Sequence, residues 1–180
     1  VAVNGKALAG VSGDVATTRI KGPSGTDVTL TVQHDGKRKD VTMTRSEVSV
    51  PVVASTMRRA CGKKIGVVGL AQFSSGAGAE VYAALKRLQK RGAQAFVFDL
   101  RGNGGGLVDE AQLIASAFLP DGKIVTTRGR NVPERTLDAT GDPIVPKADN
   151  VVVLVDRNTA SASEIVAGAL QDRGRATVVG

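Results

Sequence analysis

Apolar and polar residues alternate through the first part of this chain, and further on the apolar residues gather into short runs separated by helical spacings. Val1 to Val3 reads as a strand end, turned by Asn4-Gly5. Ser12 then precedes a short helical pattern through Val15, Ala16 and Ile20, with Asp14 near its start and Lys21 to Gly25 breaking it. Alternation through Val28, Leu30 and Val32, then Asp35-Gly36, then Val41 and Met43 predicts a hairpin. Residues 45–62 carry Pro51 and a basic, non-periodic end from Arg58 to Gly62, and read as a connector.

A different rhythm follows. Ile65 to Leu70 and Ala95 to Leu100 are apolar runs of strand length, and between them Val81, Leu85 and Leu88 recur at helical spacing after Gly76 and Gly78. Leu107 to Phe118 resumes as a helix, Ile124 to Thr127 as a strand, and 129–150 as a polar, proline-containing surface loop or irregular hairpin. Val151 to Val155 is continuous β-former, Ala162 to Leu170 helical, and Ala176 to Val179 a final strand. Strands and helices in this alternation predict an α/β core with a largely parallel sheet.

Composition narrows the chemistry. The 180 residues carry a formal net charge of +7 but only 3% aromatic residues, so rings for stacking on bases are scarce. No zinc-finger spacing or concentrated basic helix face supports nucleic-acid binding, and the positive surplus reads as a solvated surface. Cys61 is the only cysteine, which excludes an internal disulfide, and His34 is the only histidine, which excludes a Cys/His metal cluster. His34 adjoins Asp35-Gly36 and reads as a surface turn residue. No 18-residue apolar span is present, and Val1 opens inside an ordered pattern, as expected of a piece trimmed from a longer chain.

Two segments carry the chemistry: Asp156-Arg157-Asn158-Thr159-Ala160-Ser161-Ala162-Ser163-Glu164, directly after an apolar strand, and Asp99-Leu100-Arg101-Gly102-Asn103-Gly104-Gly105-Gly106. In this order, and preceded by Val3 to Gly10 and Lys21 to Val32 in the pattern of the second part of a PDZ domain, they resemble the C-terminal processing (tail-specific) serine peptidases, peptidase family S41. The resemblance covers nearly the whole chain. It places Ser161 at the nucleophile position and implies an α/β fold with a peptidase core of crotonase-like/ClpP-like type. The domains it implies are a partial PDZ domain over 1–44, the connector over 45–62 and the core over 63–180.

The residue types suit that chemistry. A serine at a strand-to-helix transition projects its hydroxyl above a sheet edge, and the N–H of Ala162 at the helix start is fixed for a developing oxyanion. Helix capping alone is the bland alternative for Ser161, and Ser163 is the nucleophile if the register is displaced. Ser163 otherwise reads as a packing or helix-start serine, and Glu164 as a first-turn residue favoured by the helix dipole. Asp99, Arg101 and Asn103 read as polar contacts that hold the glycine loop. That loop lacks the lysine and Ser/Thr of a phosphate-binding loop.

The resemblance further implies that Gly105 supplies the second oxyanion N–H, with Gly106 as the register alternative. It makes the general base a lysine that falls after the nucleophile helix, beyond Gly180, so these 180 residues by themselves are expected to be inactive. It implies a polypeptide substrate with a free C-terminus, no metal or organic cofactor, and a whole protein acting outside the cytoplasm, with membrane association and oligomeric state left open. The rival reading is a non-catalytic peptide-binding or scaffold protein that keeps a peptidase-like core.

Overall fold

The computed structural model describes residues 1–46, 50–130 and 132–180. Two compact units emerge, Val1–Val50 and Pro51–Gly180.

In the first unit, β1 (Ala2–Val3), β2 (Lys6–Ala7), helix α1 (Gly13–Ile20), β3 (Asp27–His34) and β4 (Lys37–Thr44) build one antiparallel sheet ordered β2-β1-β3-β4. Asn4-Gly5 and Asp35-Gly36 each take φ values of 48° and 74°, the left-handed pair that lets two residues reverse an antiparallel strand. Ser12 caps α1 by accepting from Val15 N at 3.4 Å. Among the described residues of this unit only Val3 and Val28 are fully buried, and Arg45 adds polar fastening by donating to Ile20 O and Asp27 O, both at 2.9 Å. His34 is solvent-facing, with Nε2 3.5 Å from Asp35 Oδ2.

Of the expected connector, residues 47–49 lie outside the described residues. Residues 53–60 form a strand, β5 (Val53–Ala60), which pairs antiparallel with β6 (Lys63–Leu70) from Val53↔Leu70 to Ala60↔Lys63. Val53, Ser55 and Met57 are half-buried while the residues between them are exposed. Pro51 and the arginine pair obscured this alternation in the sequence, because one face of an edge strand meets water and tolerates cations. Cys61-Gly62, with φ of 50° and 73°, makes the turn.

The chain continues through α2 (Ala77–Lys90), β7 (Ala95–Asp99), α3 (Val108–Ser116), β8 (Lys123–Gly129), β9 (Val132–Asp138), β10 (Asn150–Leu154), α4 (Ala162–Asp172) and β11 (Thr177–Val179). The main sheet runs β11-β10-β7-β6-β5, parallel from β11 through β6. Strands β8 and β9 form a separate hairpin with irregular register, which takes up part of the polar stretch 129–150. The expectation of a crotonase-like/ClpP-like core is not met. In this unit β5, β6, β7, β10 and β11 form one mixed sheet edged by the antiparallel β5–β6 hairpin, with β8–β9 apart from it, and strand order comes from pairings distant in sequence, which local patterning does not encode.

The core of this unit is continuous. Val81, Ala84, Leu85 and Leu88 on one face of α2 are buried with Phe96, Phe98, Ile114 and Phe118. A Cβ on Gly66 would stand 3.1 Å from both Leu88 Cδ1 and Phe96 Cδ1, so α2 lies close over β6 at that point. The rings of Phe98 and Phe118 pack at 5.6 Å between centroids. Phe98→Ala is expected to cost about 3–5 kcal/mol, because it removes a buried ring and leaves a cavity; urea unfolding of the two proteins measures it. No described helix is long and apolar enough to cross a membrane.

Candidate active site

β7 and β10 are parallel neighbours, with Leu154 opposite Asp99, so the loops leaving their carboxyl ends emerge side by side. This is the sheet edge where α/β folds place ligands. The glycine loop after β7 and the serine loop after β10 are then joined by hydrogen bonds. Leu100 N donates to Leu154 O at 2.9 Å, and Thr159 Oγ1 donates to Leu100 O at 2.9 Å. Gly102 N donates to Asp156 Oδ1 at 2.9 Å, and Ala160 N to Asn103 O at 3.1 Å.

Ser161 stands at the start of α4 with φ 55° and ψ −119°. A serine rarely occupies this region, and holding it there costs on the order of 1–3 kcal/mol. The residue is exposed while Ala162 and Ser163 beside it are buried, so the turn lifts one side chain out of the core. Glu164 braces that turn: its Oε2 accepts from Ser161 N at 2.6 Å, and its own N–H donates to Ser161 O at 2.9 Å.

Gly105 lies against the same turn, with φ 98°. A Cβ there would come within 2.7 Å of Ala160 O, 2.8 Å of Ser161 Cβ and 2.9 Å of Ala162 N, so only glycine fits without displacement. Ser161, Ala162 and Gly105 are therefore neighbours although the sequence separates them. The N–H of Gly105 is already used, donating to Asn103 Oδ1 at 2.8 Å. The N–H groups of Ala162 and Gly106 donate to no other described residue. Gly106 is fixed beside Phe73 through Phe73 N to Gly105 O at 3.0 Å and Leu107 N to Phe73 O at 2.8 Å. No described lysine bonds to Ser161.

Asp99 and Arg101 form the expected local pair: Nη2 to Oδ2 at 2.7 Å and Nε to Oδ1 at 2.9 Å. The guanidinium holds the Asp99 carboxyl below its ordinary range. Ser163 is the packing serine of the bland reading, buried and donating to Asn103 O at 3.0 Å.

Sequence reading missed Asp156 and Glu110. Asp156 has a local signal, since its Oδ1 accepts from Asn158 N at 3.0 Å in an Asx-type turn; its bond to Gly102 crosses between loops and has none. Glu110 accepts from Gly76 N at 2.8 Å and Gly78 N at 2.7 Å, capping α2 from α3. Asp156 sits below its ordinary carboxylate range chiefly because the charged form accepts from Gly102 N–H. A lowered folded-state pKa contributes stability that is present above the unfolded value and lost as pH falls through the folded one. The destabilisation caused by Asp156→Asn is thus expected to be constant from neutrality down to about pH 5, to begin shrinking near about pH 4 and to disappear only as pH falls through the lowered folded-state value, read from denaturant unfolding of both proteins across that series.

Residues 64–180 match the family model described as Peptidase family S41. The chain belongs to peptidase family S41. Among its S41-type relatives, it is 39% identical over 183 residues to a carboxyl-terminal-processing protease of Synechocystis sp., covering 100% of this chain and 42% of the relative. It is 38% identical over 186 residues to a carboxy-terminal-processing protease of Bartonella bacilliformis, covering 99% and 42%. Among solved structures, the photosystem II D1 C-terminal processing protease superposes with a TM-score of 0.64 at 30% identity, over 99% of this chain and 49% of that one. The chain thus spans less than half the length of these relatives. The superposition covers 99% of the chain, and the fold is the α/β S41-protease/PDZ fold. That finding replaces the crotonase-like/ClpP-like type carried over with the resemblance.

Proposed function

We propose that the whole S41 protein is a serine endopeptidase that cleaves near the C-terminus of polypeptide substrates, with Ser161 as nucleophile. The observation that carries this reading is the strained turn at Ser161, packed against Gly105 at the carboxyl edge of parallel strands. Ser161 Oγ attacks the scissile carbonyl carbon and passes its proton to a base; the carbonyl oxygen becomes an oxyanion. Ala162 N–H stabilises that charge with a second N–H from the glycine loop. Gly105 is the residue to which the resemblance points for this donor. Its bond to Asn103 supports Gly106, the register alternative, because the Gly106 N–H remains without a partner among the described residues. Collapse of the tetrahedral intermediate expels the amine with the base's proton, and water then hydrolyses the acyl-enzyme.

The base in this proposal is the lysine of the family resemblance, beyond Gly180, made neutral by burial. The 180 residues by themselves are accordingly proposed to lack turnover. The division into a partial PDZ domain over 1–44, a connector and a core over 63–180 belongs to the same proposal. Within it, a complete PDZ domain holds the substrate tail by strand addition, and the whole protein works outside the cytoplasm. Neither a metal nor an organic cofactor enters any step. The test is cleavage of a flexible peptide with a free C-terminus by the whole protein and by its Ser161→Ala variant. Unchanged turnover in the variant rules out Ser161 as the nucleophile, whereas a whole protein that neither cleaves the peptide nor labels with a serine-directed probe favours the non-catalytic scaffold reading.

A further inference from the structure

Asn103 lies where three segments of the core unit converge, and it is fully buried. Its Nδ2 donates to Leu70 O at the end of β6, at 2.8 Å. Its Oδ1 accepts from Gly105 N at 2.8 Å, within the glycine loop. Its main-chain carbonyl accepts from Ala160 N at 3.1 Å and from Ser163 Oγ at 3.0 Å, both in the serine loop. Its own N–H donates to Leu100 O at 3.1 Å.

These bonds fall on either side of the reacting turn. Ala160 immediately precedes Ser161 and Ser163 immediately follows Ala162, so one carbonyl grips the Ser161–Ala162 peptide from both ends. The side chain of the same residue sets Gly105, where an added Cβ would come within 2.8 Å of Ser161 Cβ and 2.9 Å of Ala162 N. A turn by itself needs no buried primary amide, and a buried amide is tolerated only when its hydrogen bonds are made. Here each of the polar atoms of Asn103 has a partner, and together the partners belong to β6, the glycine loop and the serine loop.

We infer that Asn103 is a positioning residue of this site, locking the glycine loop and the Ser161–Ala162 turn in the one register that aims their free N–H groups at a common oxyanion. By engaging the Gly105 N–H it also selects which glycine amide stays available. The inference rests on the peptidase reading above. Charge on the oxygen develops only in the transition state, so loss of the register penalises turnover more than substrate binding.

The test uses the whole protein and its Asn103→Ala, Ser163→Ala and Ser161→Ala variants, each normalised to folded concentration. For Asn103→Ala, kcat on a peptide is expected to fall about a hundredfold, the effect of losing an oxyanion donor, with KM nearly unchanged. Affinity for a peptidyl boronate, which mimics the tetrahedral state, should fall in parallel, and the Gly105 amide should exchange faster with deuterium. Ser163→Ala, which removes one of the two grips, is expected to lower kcat roughly threefold to tenfold. Wild-type kcat in folded Asn103→Ala, or unchanged exchange at Gly105, would overturn the inference. If Asn103→Ala does not fold, unchanged kcat in Ser163→Ala overturns it instead. Turnover retained by Ser161→Ala defeats the assignment of Ser161 as nucleophile on which the inference rests, whereas an inactive Ser161→Ala beside a fully active Asn103→Ala defeats the positioning role alone.

Discussion

Replacing Ser161 by alanine in the whole protein is expected to lower peptide cleavage by about ten-thousandfold to a millionfold, the range seen when an activated nucleophile is removed. The loss is chemical. Alanine keeps the Cβ and the bonds that Glu164 makes to the N–H and carbonyl of residue 161, and loses the side-chain half of the α4 capping box. Thermal or denaturant stability should therefore fall by no more than the loss of a helix cap, about 0.5–2 kcal/mol. The residual rate would come from whatever the oxyanion donors supply to attack by water. Initial rates on a flexible peptide, paired with labelling by a serine-directed fluorophosphonate, give the measurement. The variant should lose both, and labelling that persists at another serine would assign the nucleophile elsewhere, with Ser163 the first to examine.

Gly105→Ala is expected to disable the site by geometry while every chemical group remains present. The added methyl would stand 2.7 Å from Ala160 O and 2.9 Å from Ala162 N, closer than nonbonded atoms tolerate, and the backbone there has φ 98°. Overpacking of this kind costs about 1–3 kcal/mol, and the positive φ adds about 1–2 kcal/mol for a residue with a Cβ. The neighbours that must yield are backbone atoms of the serine turn, so Ala162 N–H moves off its target. A misplaced donor is worth about a hundredfold to a thousandfold in kcat. The check is kcat and KM together with an unfolding curve: kcat should collapse with KM little changed, and the unfolding midpoint should fall. A folded Gly105→Ala protein with ordinary kcat would place the oxyanion donors away from this contact.

Much of the architecture was legible because it is local. Helix α2 appears in the spacing of Val81, Leu85 and Leu88, the β3–β4 hairpin in Asp35-Gly36 between alternating residues, and β10 in a run of valines. The strand at 53–60 escaped because its pattern is that of an edge, half wet and basic, next to a proline. β9 was legible only as one of two alternatives, a surface loop or an irregular hairpin, because its pairing with β8 has irregular register and a largely exposed two-stranded ribbon leaves little hydrophobic alternation to read.

The sequence by itself determined the residues of the two motifs, their order, and the likeness to peptidase family S41, since those are properties of contiguous residues. Tertiary structure alone decided how the motifs meet. Parallel pairing of β7 with β10 sets Asp99 opposite Leu154 and brings two loops more than fifty residues apart into bonding range, through Gly102 with Asp156 and Asn103 with Ala160. It also decided that the Gly105 N–H is occupied by Asn103 and that the fold is the S41-protease/PDZ arrangement and not a crotonase-like/ClpP-like one. Sheet order and the direction of a single amide both depend on which distant segments pack together, and the free energy of that choice is spread over the whole core instead of residing in any one motif.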